Sequence, residues 1–141
     1  MDVNWLAVVI GSVVGFFVGG LWYSKGVFGL TWGIEAGVCR PDGTLKSIEE
    51  GGKHPKHPAK AFVIGILMSF VSTVALAWWL GPKPELGYAV TRAVVAGACF
   101  VGASFGINYQ FANRTTKLWL IDAGYHTAQF TVIGLVLGLL R

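Results

Sequence analysis

Charge is what this chain has least of. Only 13% of its 141 residues are Asp, Glu, Lys or Arg, where an ordinary soluble domain carries about a quarter, and the shortage excludes a conventional water-facing surface. Cysteine is almost absent. Cys39 stands in a charged loop and Cys99 deep in an apolar run, so no disulfide framework is implied and both are expected as free thiols. The N-terminal MDVNW has no basic stretch, and the apolar run after it lacks a small-residue cleavage site, so that run reads as a retained helix. The apolar runs lack the alternation of a barrel strand. No serine or cysteine stands in a recognisable nucleophile setting, and a single histidine, His126, lies in an apolar run, which excludes bis-histidine haem ligation within one subunit. The chain therefore reads as non-enzymatic, and no cofactor is expected.

What it has instead is apolar residues, 54% of the chain, together with 20 glycines. That is the profile of a membrane protein. The formal net charge of +4 comes from a few basic loops on an apolar body and does not suggest nucleic acid.

Four continuous runs, 4–22, 59–80, 86–109 and 118–140, are each long enough to cross a bilayer core, for which about 20 helical residues suffice. The expected fold is an all-α integral membrane protein, one four-transmembrane-helix bundle covering 1–141. The first run is bounded by Trp5 at one end and by Trp22 and Tyr23 at the other, as expected of side chains at headgroup level. Gly11, Gly15 and Gly19 recur at four-residue spacing, which reads as close helix packing, with a glycine-lined pore as the other reading. In the second run Ser69, Ser72 and Thr73 can bond back to their own helix carbonyls.

The one sizeable loop, 24–58, begins with GVFGLTWGIEAGV, an aromatic segment suited to the membrane interface. It continues through a polar part in which Pro41, Asp42 and Gly43 predict a turn. At its end His54 and His57, with Cys39 nearby in sequence, are weak candidates for a metal. The competing reading is a solvated loop leading into a helix whose first turn holds Pro58.

Function points to KLWLIDAGYHTAQ, residues 117–129, where Asp122 and His126 interrupt an apolar run. A carboxylate at the centre of an inserted helix costs roughly 2.5–3.5 kcal/mol, so such groups persist where they find partners or water. At about 100° per residue Asp122, His126, Gln129 and Ile133 share one sector with Tyr125 on its flank, and Gly124, Ala128, Thr131 and Gly138 lie opposite. A helix with a polar stripe on one side and a small-residue stripe on the other needs cover on both, in the centre of a bundle or at a subunit interface. The i, i+4 spacing predicts a hydrogen-bonded Asp122–His126 pair. Asn108 and the Lys60 end of the loop are further candidate partners. Arg92, about six residues into the third run and near the level of Gln129, reads as a snorkelling cation, with an interior contact or an anion-facing role as the other readings.

Cations set the expected topology. Lys25, Arg40, Lys46, Lys53, Lys56, Lys60, Arg114 and Lys117 fall in loops on one side, against Lys83, Arg141 and the part-buried Arg92 on the other. The positive-inside rule then places the long loop in the cytoplasm and both termini outside.

Together NWLAVV, WYSKGVFGLTW, HPAKAF and KLWLIDAGYH resemble the family of small bacterial four-helix membrane proteins catalogued as domain of unknown function 1761. The resemblance touches all four runs in order. It implies signature positions at Asn4, Trp5, Trp22, Tyr23, Trp32, His57, Pro58, Lys60, Trp119, Gly124, Tyr125 and His126, with Asn frequent where this chain has Asp122. It implies a fold and a bacterial inner membrane, and no activity. Two functions are consistent with these readings: transport or permeation of a small solute through a homo-oligomer, or a non-catalytic subunit or assembly partner of a membrane complex.

Overall fold

The computed structural model describes residues 3–52 and 58–140. Among the described residues the regular structure is helical, apart from a single bridge between Cys39 and Leu45, with turns and irregular chain between the helices. Helix α1 spans Trp5–Trp22, the short α2 Gly29–Glu35, and α3 Pro58–Leu80. A third long rod is built from α4, Leu86–Val95, a π-helical segment Ala96–Gly102, and α5, Ala103–Phe111. Helix α6, Thr116–Leu139, follows.

Among the described residues three helical stretches are long and apolar enough to cross a membrane: Trp5–Trp22, Ala59–Leu80 and Leu86–Phe111. The fourth run forms a helix of 24 residues, but Asp122, His126, Gln129 and its threonines leave it less apolar than the other three. Packing supplies the reason. Helix α6 touches α1, α4, the π segment, α5, α2 and α3, so it lies inside the bundle and needs less apolar surface of its own. Gly134 approaches Ala89 and Ala93, and Gly138 approaches Leu86 and Ala89. Gly138, one member of the small-residue stripe, thus meets α4 within the chain.

Around α6 the core is dry on the terminal side. Val8 of α1, Thr73 of α3 and Ile133 of α6 are the largest fully buried side chains, joined by Leu76, Leu137, Ala89 and Ala93. Outside, Phe17, Leu21, Phe62, Leu67, Trp78, Ile107 and Leu139 are exposed, an apolar surface far larger than a water-soluble monomer carries.

Side chains cap the helix starts. Asn4 Oδ1 accepts from Ala7 N at 3.1 Å, Glu85 from Gly87 N and Tyr88 N at 2.9 Å each, and Thr115 from Leu118 N at 3.2 Å. Asn4 also donates through Nδ2 to the Leu140 carbonyl, which ties the start of α1 to the end of α6. At the opposite end Thr115 Oγ1 donates to Glu35 at 2.6 Å and Lys117 lies 3.6 Å from the same carboxylate, so α2 is held against the start of α6.

The polar loop folds as its turn residues predict. Gly43 N bonds Arg40 O at 2.9 Å with Gly43 at φ +85°, closing a turn through Pro41 and Asp42. Arg40 then pairs with Glu50 at 2.6 Å.

Candidate functional site

Asp122 is buried, and both of its oxygens are taken. Tyr23 Oη donates to Oδ1 and Tyr109 Oη to Oδ2, each at 2.7 Å. Tyr23 stands just past α1 and Tyr109 near the end of α5, so the carboxylate pins two outer helices to the central one. The tryptophans act beside it. Trp22 Nε1 donates to the Ile121 carbonyl at 3.0 Å, and its ring covers Gly124, where an added Cβ would come within 2.9 Å. Trp22 and Tyr23 therefore turn inward to α6, where the sequence placed them at headgroup level.

The expected Asp122–His126 pair does not form. With both carboxylate oxygens bonded to tyrosines, His126 turns the other way, its Nδ1 lying 3.3 Å from Gln129 Oε1. Gln129 Nε2 reaches Ser69 Oγ at 3.5 Å, and Ser69 Oγ donates to the Ser12 carbonyl at 2.8 Å. Because Ser69 spends its proton on Ser12, it must accept from the Gln129 amide, which leaves Oε1 to accept from a protonated His126 Nδ1. A one-directional polar thread thus runs from His126 through α6 and α3 to the backbone of α1. Tyr125 packs between Tyr23 and His126, with ring centroids 5.1 and 4.7 Å away, and links the carboxylate cluster to the thread.

The π segment shapes the His126 side. An added Cβ on Gly97 would lie 2.7 Å from Thr127 Cα and 2.8 Å from the His126 carbonyl, so backbone meets backbone here. A π turn disturbs the ordinary i to i−4 ladder. Trp119 Nε1 bonds the Gly102 carbonyl at 2.8 Å and Ser104 Oγ the Phe100 carbonyl at 2.6 Å. One turn further on, Phe105 places its ring 4.9 Å from His126 and 5.5 Å from Tyr109.

Asp122 opens onto a cleft of about 370 Å³ at the loop end, lined by Trp32 of α2 and Ala36 just after it, Asn108 and Tyr109 of α5 and Ala112 just after it, Arg114, and Leu118. Asn108 thus shares the cleft without bonding the carboxylate. Arg92 is elsewhere. Its guanidinium lies 5.7 Å from the Trp79 ring and 5.1 Å from the Tyr88 ring, away from the Asp122 cluster. Lys60 is exposed at the start of α3. His54 and His57 lie outside the described residues.

The glycine repeat of α1 also finds its purpose inside the subunit. Gly11 meets Thr73 of α3 and, farther off, Ile133; Gly15 faces Ile133, and Gly19 faces the Tyr125 ring. That is close packing, with side chains of α6 and α3 filling the face.

Residues 6–138 match the family model described as "Protein of unknown function (DUF1761)". The chain belongs to this family. No curated protein and no solved structure matches it. Of the positions the resemblance singled out, Trp22, Tyr23, Trp32, Trp119, Gly124, Tyr125 and His126 converge on the neighbourhood of Asp122. Asn4 ties the far ends of α1 and α6. Tyr109 and Ser69 were missing from the residues proposed for the site. Each carried a signal, a tyrosine at an apolar helix end and a serine within a span, but nothing in either pattern named its partner.

Proposed function

We propose that the protein is a multi-pass protein of the bacterial cytoplasmic membrane that passes a small solute in a proton-linked step at Asp122. In this reading α6 is a fourth span, shielded from lipid by the other three. The long loop and residues 112–115 face the cytoplasm, and both termini face outside. One observation carries the reading: a buried carboxylate forms part of the wall of an open cleft, and beside it a polar thread of His126, Gln129 and Ser69 leads inward. Ionisable groups inside a membrane protein mark solute or proton paths by default. Beyond Ser12 the thread meets the dry core of Val8, Thr73 and Ile133, so passage requires that plug to part. A four-helix subunit is too small to enclose a water-filled route, and the route is accordingly proposed to open between copies in a homo-oligomer. The glycine face of α1 does not itself argue for that assembly, since α6 and α3 fill it within the subunit. The protein is proposed to act without a catalytic centre or cofactor.

The test is reconstitution. Liposomes holding the purified protein under an imposed pH gradient should take up protons together with one class of small polar solute, and Asp122→Asn should stop both. Proton and solute flux equal to that of empty liposomes across the panel would rule the reading out.

A second reading, a non-catalytic subunit or assembly partner, is favoured by a different observation. Among the described residues every buried side-chain nitrogen and oxygen already has a hydrogen-bond partner, so the cluster needs no ligand to be satisfied. Mass measurement of the complex extracted gently from native membrane separates the two: other subunits at fixed ratio support this second reading.

A further inference from the structure

Helices α3 and α4 are joined by a tight turn in which Gly81 has φ +77°, yet they part at once. Helix α3 packs on α1, while α4 and the π segment pack on α6. The seam left between them is a groove of about 580 Å³, walled by Val71, Ser72 and Trp79 on one side and Phe100 on the other, with Leu76 and Phe130 deeper. Trp79 belongs to two features at once. Its ring lies 6.0 Å from Phe100 inside the groove and 5.7 Å from the Arg92 guanidinium, which stands beside the groove's Trp79. Arg92 is exposed, and among the described residues no acid lies within ion-pair distance of it.

We propose that this groove binds one anionic phospholipid, its phosphate on Arg92 and an acyl chain along Trp79 and Phe100. The proposal rests on the membrane reading and not on transport. An unpaired arginine some way inside a span is costly until an anion meets it, and a guanidinium suits a phosphate in a two-pronged bond. Length agrees: from Trp79 to Val71 is eight residues, or about 12 Å of helix, close to the roughly 15 Å depth of one leaflet of a 30 Å core. An apolar groove beside a guanidinium calls for an occupant with an anionic head and an apolar tail, which a phospholipid has and an apolar helix of a second copy of the chain does not.

Native mass spectrometry of the detergent-solubilised protein, titrated with phosphatidylglycerol or phosphatidylcholine, tests it. The wild type should retain one phosphatidylglycerol at least tenfold more tightly than phosphatidylcholine. Arg92→Gln should erase that preference while Arg92→Lys keeps part of it, and Ala75→Trp, which fills the groove, should lose both lipids. Equal retention of the two lipids by the wild type, an Arg92→Gln variant that keeps the preference, or an Ala75→Trp variant that still holds lipid would each overturn the proposal. So would a dimer that dissociates with Ala75→Trp while no lipid is found. If Arg92→Gln does not fold, the wild-type preference and the Ala75→Trp result decide alone.

Discussion

The hydroxyl of Tyr23 donates to Asp122 Oδ1 at 2.7 Å across 99 residues of sequence, and Tyr109 donates to the other oxygen of the same carboxylate. One acid thereby fixes the ends of two helices against a third.

Asp122→Leu should remove both acceptors at once. Two phenols left without partners in a mostly buried setting cost about 1–3 kcal/mol each at most, and hydrogen bonds between membrane helices average nearer 0.6. A loss of about 1–3 kcal/mol is therefore expected, read as a lower unfolding midpoint in detergent. Asp122→Asn keeps an acceptor oxygen and should stay within about 1 kcal/mol of the wild type. Should Asn and Leu destabilise equally, the tyrosine bonds contribute nothing.

Gly97 and Gly20 make a matched pair of substitutions. Gly97→Ala drives a methyl into the backbone of His126 and Thr127, whereas nothing lies within 4 Å of the position a methyl would take on Gly20. Overpacking of this kind costs about 1–3 kcal/mol, while an exposed helical Gly→Ala gains up to about 1. The two variants should therefore shift the unfolding midpoint in opposite directions.

The long helices were legible in the sequence because the apolar runs are continuous, and the need of α6 for cover on two sides was legible in its two opposed stripes. The partners of Asp122 were not. Trp22 and Tyr23 sit at a helix end, where aromatic side chains equally serve as headgroup anchors, and hydropathy does not distinguish an inward turn from an outward one. The i, i+4 rule put His126 on the same face as Asp122, but it knows only one helix. Two tyrosines from other helices outcompeted the imidazole. The π segment was hidden for a similar reason, since AGACFVG is as apolar as the α-helix on either side of it.

Glu35 should govern access to the cleft. It accepts from Thr115 and lies beside Lys117, so Glu35→Ala releases α2, which carries the Trp32 and Ala36 wall. A cysteine placed at Leu118, buried in the wall of the cleft, should then react several-fold faster with a soluble maleimide. An unchanged rate would show that α2 is held by other contacts, such as Trp32 on Tyr23.

The polar loop should respond to acid in one direction. A hydrogen bond from Arg40, and after it one from the backbone of Ser47, lowers the Glu50 carboxyl from 4.5 to about 2. An acid depressed in the folded loop favours that fold above its ordinary value and loses this contribution as the pH falls toward the depressed one. Protection of the Ser47 and Gly52 amides, corrected for intrinsic rate, should hold from about pH 7 to about pH 5 and decline below about pH 4. Glu50→Gln should show the weaker protection already at neutral pH.

The order of the helices along the chain has a consequence for biosynthesis. Helix α6 comes after α1, α3 and the α4–π–α5 rod, yet it carries the acceptor for Tyr23, the carbonyl for Trp22 and the methyl-free surface against which α4 packs. During synthesis the earlier helices are made without the element that organises them, and Tyr23 and Tyr109 lack Asp122 to meet. A nascent chain stalled before Thr116 is therefore a set of loosely associated helices, open to proteases, and resistance should arrive in one step once α6 is made.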